Sequence, residues 1–355
     1  MRRIFVLAVL SSVTASAIGD NSLADKELEN FCKQVIRQRI MPIEDETSFC
    51  SAVVLENGNG AVRALVNRYT GEGGEWRTDY SYEHHVHAAH QRLALYLALL
   101  EAGLTPSDVF TATGCYVDPE SHAFIQDIGW LKHRPQGAMP LEMAVGRSDV
   151  ALLLASEVGF GKSMAQMAVY LNRTGVWLGD HVKETEEEIF KNYENTPWSP
   201  IDVLSYRDQA KPIQIAVYMM AIARNGNMIS PRFSENEPVN ELYKQISHRE
   251  LIDSVRKSLR HYVTDGFSRR ANSKYAKVSG LTIVSQENVV RERCFTFGGY
   301  TKDYTVVINC VKRGLGGRAI VNDIAQEIID FLSTKGKTLS ADKNTTPEYI
   351  HPAAR

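Results

Sequence analysis

Four of the ten histidines, His84, His85, His87 and His90, fall within seven residues of one another. Neutral imidazoles grouped in this way can bind zinc or copper. His84, His87 and His90 recur every three residues, which brings them near one face if the stretch is helical. No cysteine or carboxylate stands beside them at ligand spacing. The plainer reading is a polar helix entry, and no metal or other cofactor is expected. Two literal S-x-x-K strings, Ser254…Lys257 and Ser340…Lys343, set a lysine one helical turn after a serine, where an amine can take the hydroxyl proton. The first sits on an amphipathic helix and the second in a polar tail, so context supports neither. Ser234-Glu235-Asn236 reads as loop, and Ser279 and Thr282 offer hydroxyls without a base.

The five cysteines are Cys32, Cys50, Cys115, Cys294 and Cys310. Cys294 and Cys310 lie in two β-rich runs joined by a turn near Thr301-Lys302-Asp303. Counting outward from Lys302, each falls eight residues away. An antiparallel pair would then place them opposite each other within disulfide reach. Cys32 with Cys50 is a second candidate pair, and Cys115 is the odd one. Buried thiols are the alternative, since pairing is not encoded in spacing alone.

The elements that must position these residues follow from periodicity. Ser51–Val66 reads as strand, turn, strand around Asn57-Gly58-Asn59-Gly60. Helical spacing covers Ala88–Ala102, closed by Gly103, then Leu141–Val158, Ser163–Leu171, Ile213–Arg224 and Arg249–Val263. Lys183–Lys191 is a charge run best read as a solvated helix face. From Lys277 to Val311 the pattern turns to β, and Ala319–Leu332 is a last helix. Terminal strands sharing one antiparallel sheet, with a large helical region inserted between them, make an α+β fold.

Of 355 residues, 44% are apolar and 23% are charged. That balance excludes disorder as the main state. A net charge of -2 gives no electrostatic case for nucleic acid or an anionic membrane surface. Arg2-Arg3, the apolar run Ile4–Leu10 and Ala15-Ser16-Ala17 have the layout of a secretory signal peptide, with an uncleaved anchor as the alternative. The chain then divides into signal (1–17), N-terminal extension (18–50), main domain (51–332) and polar tail (333–355). No later segment is apolar enough to span a membrane, so export to the periplasm is expected.

In order along the chain, several segments resemble the transpeptidase domain of penicillin-binding proteins, within the serine β-lactamase-like superfamily. SAVVLENGNGAVRALV resembles its opening strands, and RLALYLALLEAG (Arg92–Gly103) the helix carrying its nucleophile. Gly146–Gly159 resembles the helix after its second motif, and KPIQIAVYMMAIARN (Lys211–Asn225) a further helix. DGFSRRA (Asp265–Ala271) resembles a characteristic turn, and FTFGGYTKDYTVVINCV (Phe295–Val311) its strand pair.

That family's chemistry rests on S-x-x-K, S-x-N and K-T-G: an acylated serine, a lysine that takes its proton, and a strand whose cation holds the substrate carboxylate. Carried over by resemblance, the serine and lysine positions fall on Ala89 and Arg92. The second motif falls on Arg147, Ser148 and Asp149, and the third on Val278, Ser279 and Gly280. Ala89 has no oxygen to acylate, and Arg92 stays protonated at any usable pH. Val278 removes a cation and Asp149 turns an amide into a negative charge. The resemblance thus implies a peptidoglycan D,D-transpeptidase fold without its catalysis, binding a peptidoglycan stem peptide or a cell-wall synthesis protein. The alternatives are an active penicillin-binding enzyme using an unrecognised serine, and a periplasmic metal-binding protein built on the histidines.

Overall fold

A computed structural model describes residues 22–338, apart from 72–73, 88–90, 121, 123, 128–136, 175–183, 205–208, 287–291 and 315. The expected signal segment and residues 339–355, with Ser340 and Lys343, lie outside the described residues. The main sheet has six strands: β1 (Thr47–Glu56), β2 (Val62–Thr70), β3 (Trp76–Asp79), β4 (Ser279–Gln286), β5 (Glu292–Tyr300) and β6 (Tyr304–Arg313). They lie in the order β4-β5-β6-β1-β2-β3, every neighbouring pair antiparallel. N- and C-terminal strands therefore share one sheet, as the terminal β patterns imply, and β4 forms an edge.

The turn after β1 needs Gly60, whose positive φ of 75° suits a residue without a side chain. A Cβ added there would lie 2.5 Å from the Ser230 carbonyl oxygen. Beside it, the buried Asn57 amide donates to the carbonyls of Thr301 (3.1 Å) and Lys302 (3.2 Å) and accepts from the Thr305 hydroxyl (2.7 Å). One side chain thus ties the turn of the first hairpin to the turn of the last.

Both faces of the sheet are covered, which is why β1 reads as a near-continuous apolar run rather than an alternating one. Ala52 and Val54 face one layer, with helices α1 (Lys26–Ile40) and, at the other end of the chain, Gly317–Thr338. Val53 and Leu55 face the other, with α2 (Gln91–Glu101) and the inserted helices. Leu93 to Leu100 are all buried. Gly103, with φ at 97°, ends α2, its N–H donating to the Leu100 carbonyl, the left-handed closure that glycine favours.

The expected Leu141–Val158 helix is two helices, α3 (Leu141–Arg147) and α4 (Asp149–Phe160). Ser148 breaks them with an extended backbone, and its hydroxyl then caps α4 by accepting from the Ala151 N–H, which satisfies one of the orphan donors of the first turn. Downstream come α5 (Met164–Arg173), α6 (Pro212–Ala223), α7 (Arg249–Thr264) and α8 (Gly317–Thr338). The charge run ends in a short helix, Glu186–Tyr193, that buries only Ile189. Helix α8 continues past Ser333, where a loose tail is the sequence expectation. Lys335 ion-pairs there with Asp25 and Glu27 at the start of α1, 2.7 Å each.

Candidate functional site

The break at Ser148 places Asp149 at the first position of α4, pointing at the first turn of α2. There Arg92 Nη1 stands 2.9 Å from Asp149 Oδ1, and Nη2 donates to Asp149 Oδ2 at 3.2 Å. Nη1 also donates to the Val284 carbonyl on the edge strand β4, 3.3 Å away. Both side chains are only 5% exposed. Three elements that are distant in sequence therefore converge on one buried ion pair. Arg92 Nε is itself buried without a hydrogen-bond partner, so the pair offsets its own desolvation only in part.

Asp127 lies directly behind. It accepts from the Ser148 hydroxyl at 2.9 Å and from the Val150 N–H at 3.0 Å. Burial raises the Asp127 carboxyl above its ordinary value, opposed by these hydrogen bonds, and the negative charge of Asp149 raises it further, since both disfavour the ionised form. On the outer side, Phe267 fills the space that a side chain at residue 146 would take: a Cβ on Gly146 would lie 2.1 Å from its ring. Arg318 of α8 lies over that ring, 4.7 Å from its centre. Arg147 of α3 lies over it too, at 5.5 Å, and both distances are within cation–π range. Burial lowers Arg318 to about 10, with the charges of Arg147 and Arg92 adding to the effect.

A guanidinium is not a base at usable pH, and its charge is already met by Asp149. The Ser148 hydroxyl is bound to Asp127 and fully used as a cap. Along β4, Ser279, Thr282 and Ser285 are buried, and Thr282 bonds to Ser268 and Asn322 on the far side of the strand. Ala89 and His90 lie outside the described residues.

Of the sequence-assigned positions, Arg92 and Asp149 meet and Arg147 lies nearby; Val278, Ser279 and Gly280 do not join them. Val278 packs with α1 and α8 on the opposite side of the sheet, and its carbonyl accepts from Arg260. Ser279 and Gly280 open β4, opposite Tyr300 and Gly299, whereas the strand reaches Arg92 only at Val284. A later placement on the strand restores no cation, because SGLTIVSQ holds no basic residue. Asp127, Phe267 and Arg318 were not singled out by sequence, and no spacing pattern marks them.

His90 lies outside the described residues, and the described stretch before it is not helical. Val86–His87 is a strand paired with Gln209–Ala210, so His84 and His87 share no helix face. His84 Nε2 is engaged with Asp79 Oδ2 at 2.8 Å, its ring against Phe49 and Tyr69. Among the described residues, no group of three His, Cys, Asp or Glu side chains could hold a metal ion. The Cys294–Cys310 pairing is corrected as well. Cys294 stands opposite Val311 and Cys310 opposite Phe295, so the two point to opposite faces of the sheet. Ser254 lies on α7 and donates to the Glu250 carbonyl.

An antiparallel sheet with a helical insertion whose first helix aims at an edge strand is the penicillin-binding protein and β-lactamase-like class of fold. The family model for the penicillin binding protein transpeptidase domain matches residues 50–330, and the chain belongs to that family. Solved structures agree in fold. The transpeptidase domain of Burkholderia pseudomallei penicillin-binding protein 3 aligns with TM-score 0.66 at 17% identity, over 92% of this chain and 98% of that one. A putative peptidoglycan glycosyltransferase from Atopobium parvulum aligns with TM-score 0.69 at 14% identity, over 88% and 78%. Mycobacterium tuberculosis penicillin binding protein 3, complexed with aztreonam, aligns with TM-score 0.65 at 16% identity, over 88% and 78%. No curated protein sequence matches the chain.

Proposed function

We propose that this chain is a non-acylating penicillin-binding-protein transpeptidase domain that serves cell-wall biology by binding a wall stem peptide or a cell-wall synthesis protein. The buried Arg92–Asp149 pair carries the reading. It fills the junction of α2, α4 and β4 with a closed ion pair where an acyl-transfer site needs a serine, a deprotonable amine and a cationic strand. Belonging to the family supports the cell-wall setting. The Arg2–Ala17 segment supports export to the periplasm, and among the described residues no helix is long and apolar enough to cross a membrane.

The test is covalent labelling. The purified full chain, incubated with a fluorescent penicillin and run on a denaturing gel beside an active transpeptidase, is expected to remain dark. A fluorescent band lost on boiling with hydroxylamine would mean that a serine is acylated and would overturn the proposal.

A further inference from the structure

Cys50 and Cys310 are direct partners across β1 and β6. Directly opposed residues of an antiparallel pair send their side chains to the same face, with Cα atoms about 4.5 or about 5.5 Å apart. Both spacings fall inside the ~4.4–6.8 Å range of disulfides. The two thiols are fully buried in the layer between the sheet and helices α1 and α8, among Val35, Ile36, Ile324 and Ile328. Burial pushes the Cys50 thiol well above its usual range, and the adjacent Cys310 thiol pushes it further. Packing alone would be served as well by hydrocarbon, and a facing thiol pair in such a layer is specific in a way that a single cysteine is not. Cys32 of α1 shares the layer but lies on another element, Cys294 faces the opposite layer and Cys115 is exposed.

We infer that Cys50 and Cys310 are joined by a disulfide in the mature protein, a covalent tie between the N-terminal and C-terminal strands at the centre of the sheet. The reaction is thiol–disulfide exchange with a protein disulfide oxidant of an oxidising compartment. One cysteine thiolate attacks the oxidant's disulfide and expels one of its sulfurs as thiolate. The second cysteine thiolate then attacks the mixed disulfide and expels the other. The pair gives up two electrons and two protons, and the oxidant ends as a dithiol. Because both sulfurs are fully buried in the finished fold, exchange precedes the packing of α1 and α8 onto the sheet. The compartment rests on the export proposed above; the capacity to form the bond does not, so the two can fail separately.

The full chain, reduced and unfolded, is refolded with a mixture of oxidised and reduced glutathione, then denatured and alkylated with N-ethylmaleimide. Intact mass is expected to show three of the five thiols alkylated, and peptide mapping to find Cys50 linked to Cys310. Cys32→Ala keeps the link and Cys310→Ala abolishes it, while Cys310→Val, which suits the apolar layer, guards against simple failure to fold. Reduction of the oxidised protein is expected to lower its Tm by on the order of 10 °C, since the bond closes a long loop. Five alkylated thiols in folded protein, or a Cys32–Cys50 link, would overturn the inference. Five alkylated thiols in protein taken from the cells that make it would overturn the bond in the mature protein even if the link forms in glutathione.

Discussion

Asp149→Asn removes one charge from the buried ion pair and leaves the Arg92 guanidinium with the Val284 carbonyl as its fixed acceptor. Removing one partner of a buried pair costs about 3–5 kcal/mol, most of it the penalty of an uncompensated charge. The new amide oxygen still accepts from Arg92 and the Asp127 carboxyl is close behind, so the low end, about 3 kcal/mol, is expected. Arg92→Met removes the cation bound to Asp149 and should cost within the same range, about 3–5 kcal/mol. The double variant Arg92→Met/Asp149→Leu removes both charges and fills the space, and should lie within about 1 kcal/mol of wild type. The singles and the double therefore differ by a coupling far above the additivity error of ~0.5 kcal/mol. Urea unfolding followed by circular dichroism at neutral pH measures all four proteins. If the singles cost no more than that additivity error, or the double costs their sum, the pair is not what closes this junction.

Two further outcomes follow from the same region. Burial raises the native Asp127 carboxyl above its unfolded value of 3.8, so the folded state holds a proton that the unfolded chain has lost. That contribution is complete below pH ~3.8 and is lost as pH rises through the native value. Thus wild type should lose stability relative to Asp127→Asn as pH is raised through this window, and a pH-independent difference would refute the burial argument. Gly146→Ala drives a methyl into the Phe267 ring and should cost about 2–3 kcal/mol by overpacking. Thermal melts would read it, and a neutral effect would show that Phe267 moves aside freely.

Local signals carried most of the fold. The Asn-Gly turn, the apolar Leu93–Leu100 run of α2 and the β-branched C-terminal runs state their own conformation, and β patterns toward both ends of the chain were enough to imply a shared sheet. What failed depends on register. The turn between β5 and β6 is centred between Lys302 and Asp303, with Thr301 and Tyr304 closing it, rather than on Lys302. Half a residue at the turn becomes one residue of register, and one residue exchanges the faces of a sheet. That shift separated Cys294 from Cys310 and turned Cys310 toward Cys50, which no count along a single hairpin reaches. The helix break at Ser148 was hidden because the residues on both sides are helix formers and the capping bond is formed only in the fold. Arg92 and Asp149 were found by resemblance. Asp127 follows a short hairpin, Cys115–Val117 with Phe124–Gln126, and Arg318 opens the last helix, neither with a signal of its own.

The pairing of β1 with β6 has a consequence for how the chain reaches this state. The central partner of the first long strand is nearly the last strand to be made, so β1 cannot complete its ladder until Tyr304–Arg313 has left the ribosome. Contacts of such long sequence separation slow folding and postpone it to the full-length chain. Until then the Thr47–Glu56 edge stays unpaired on that side, open to strands from other molecules. The central ladder of the sheet is therefore a late event, closed only once both ends of the described fold are present.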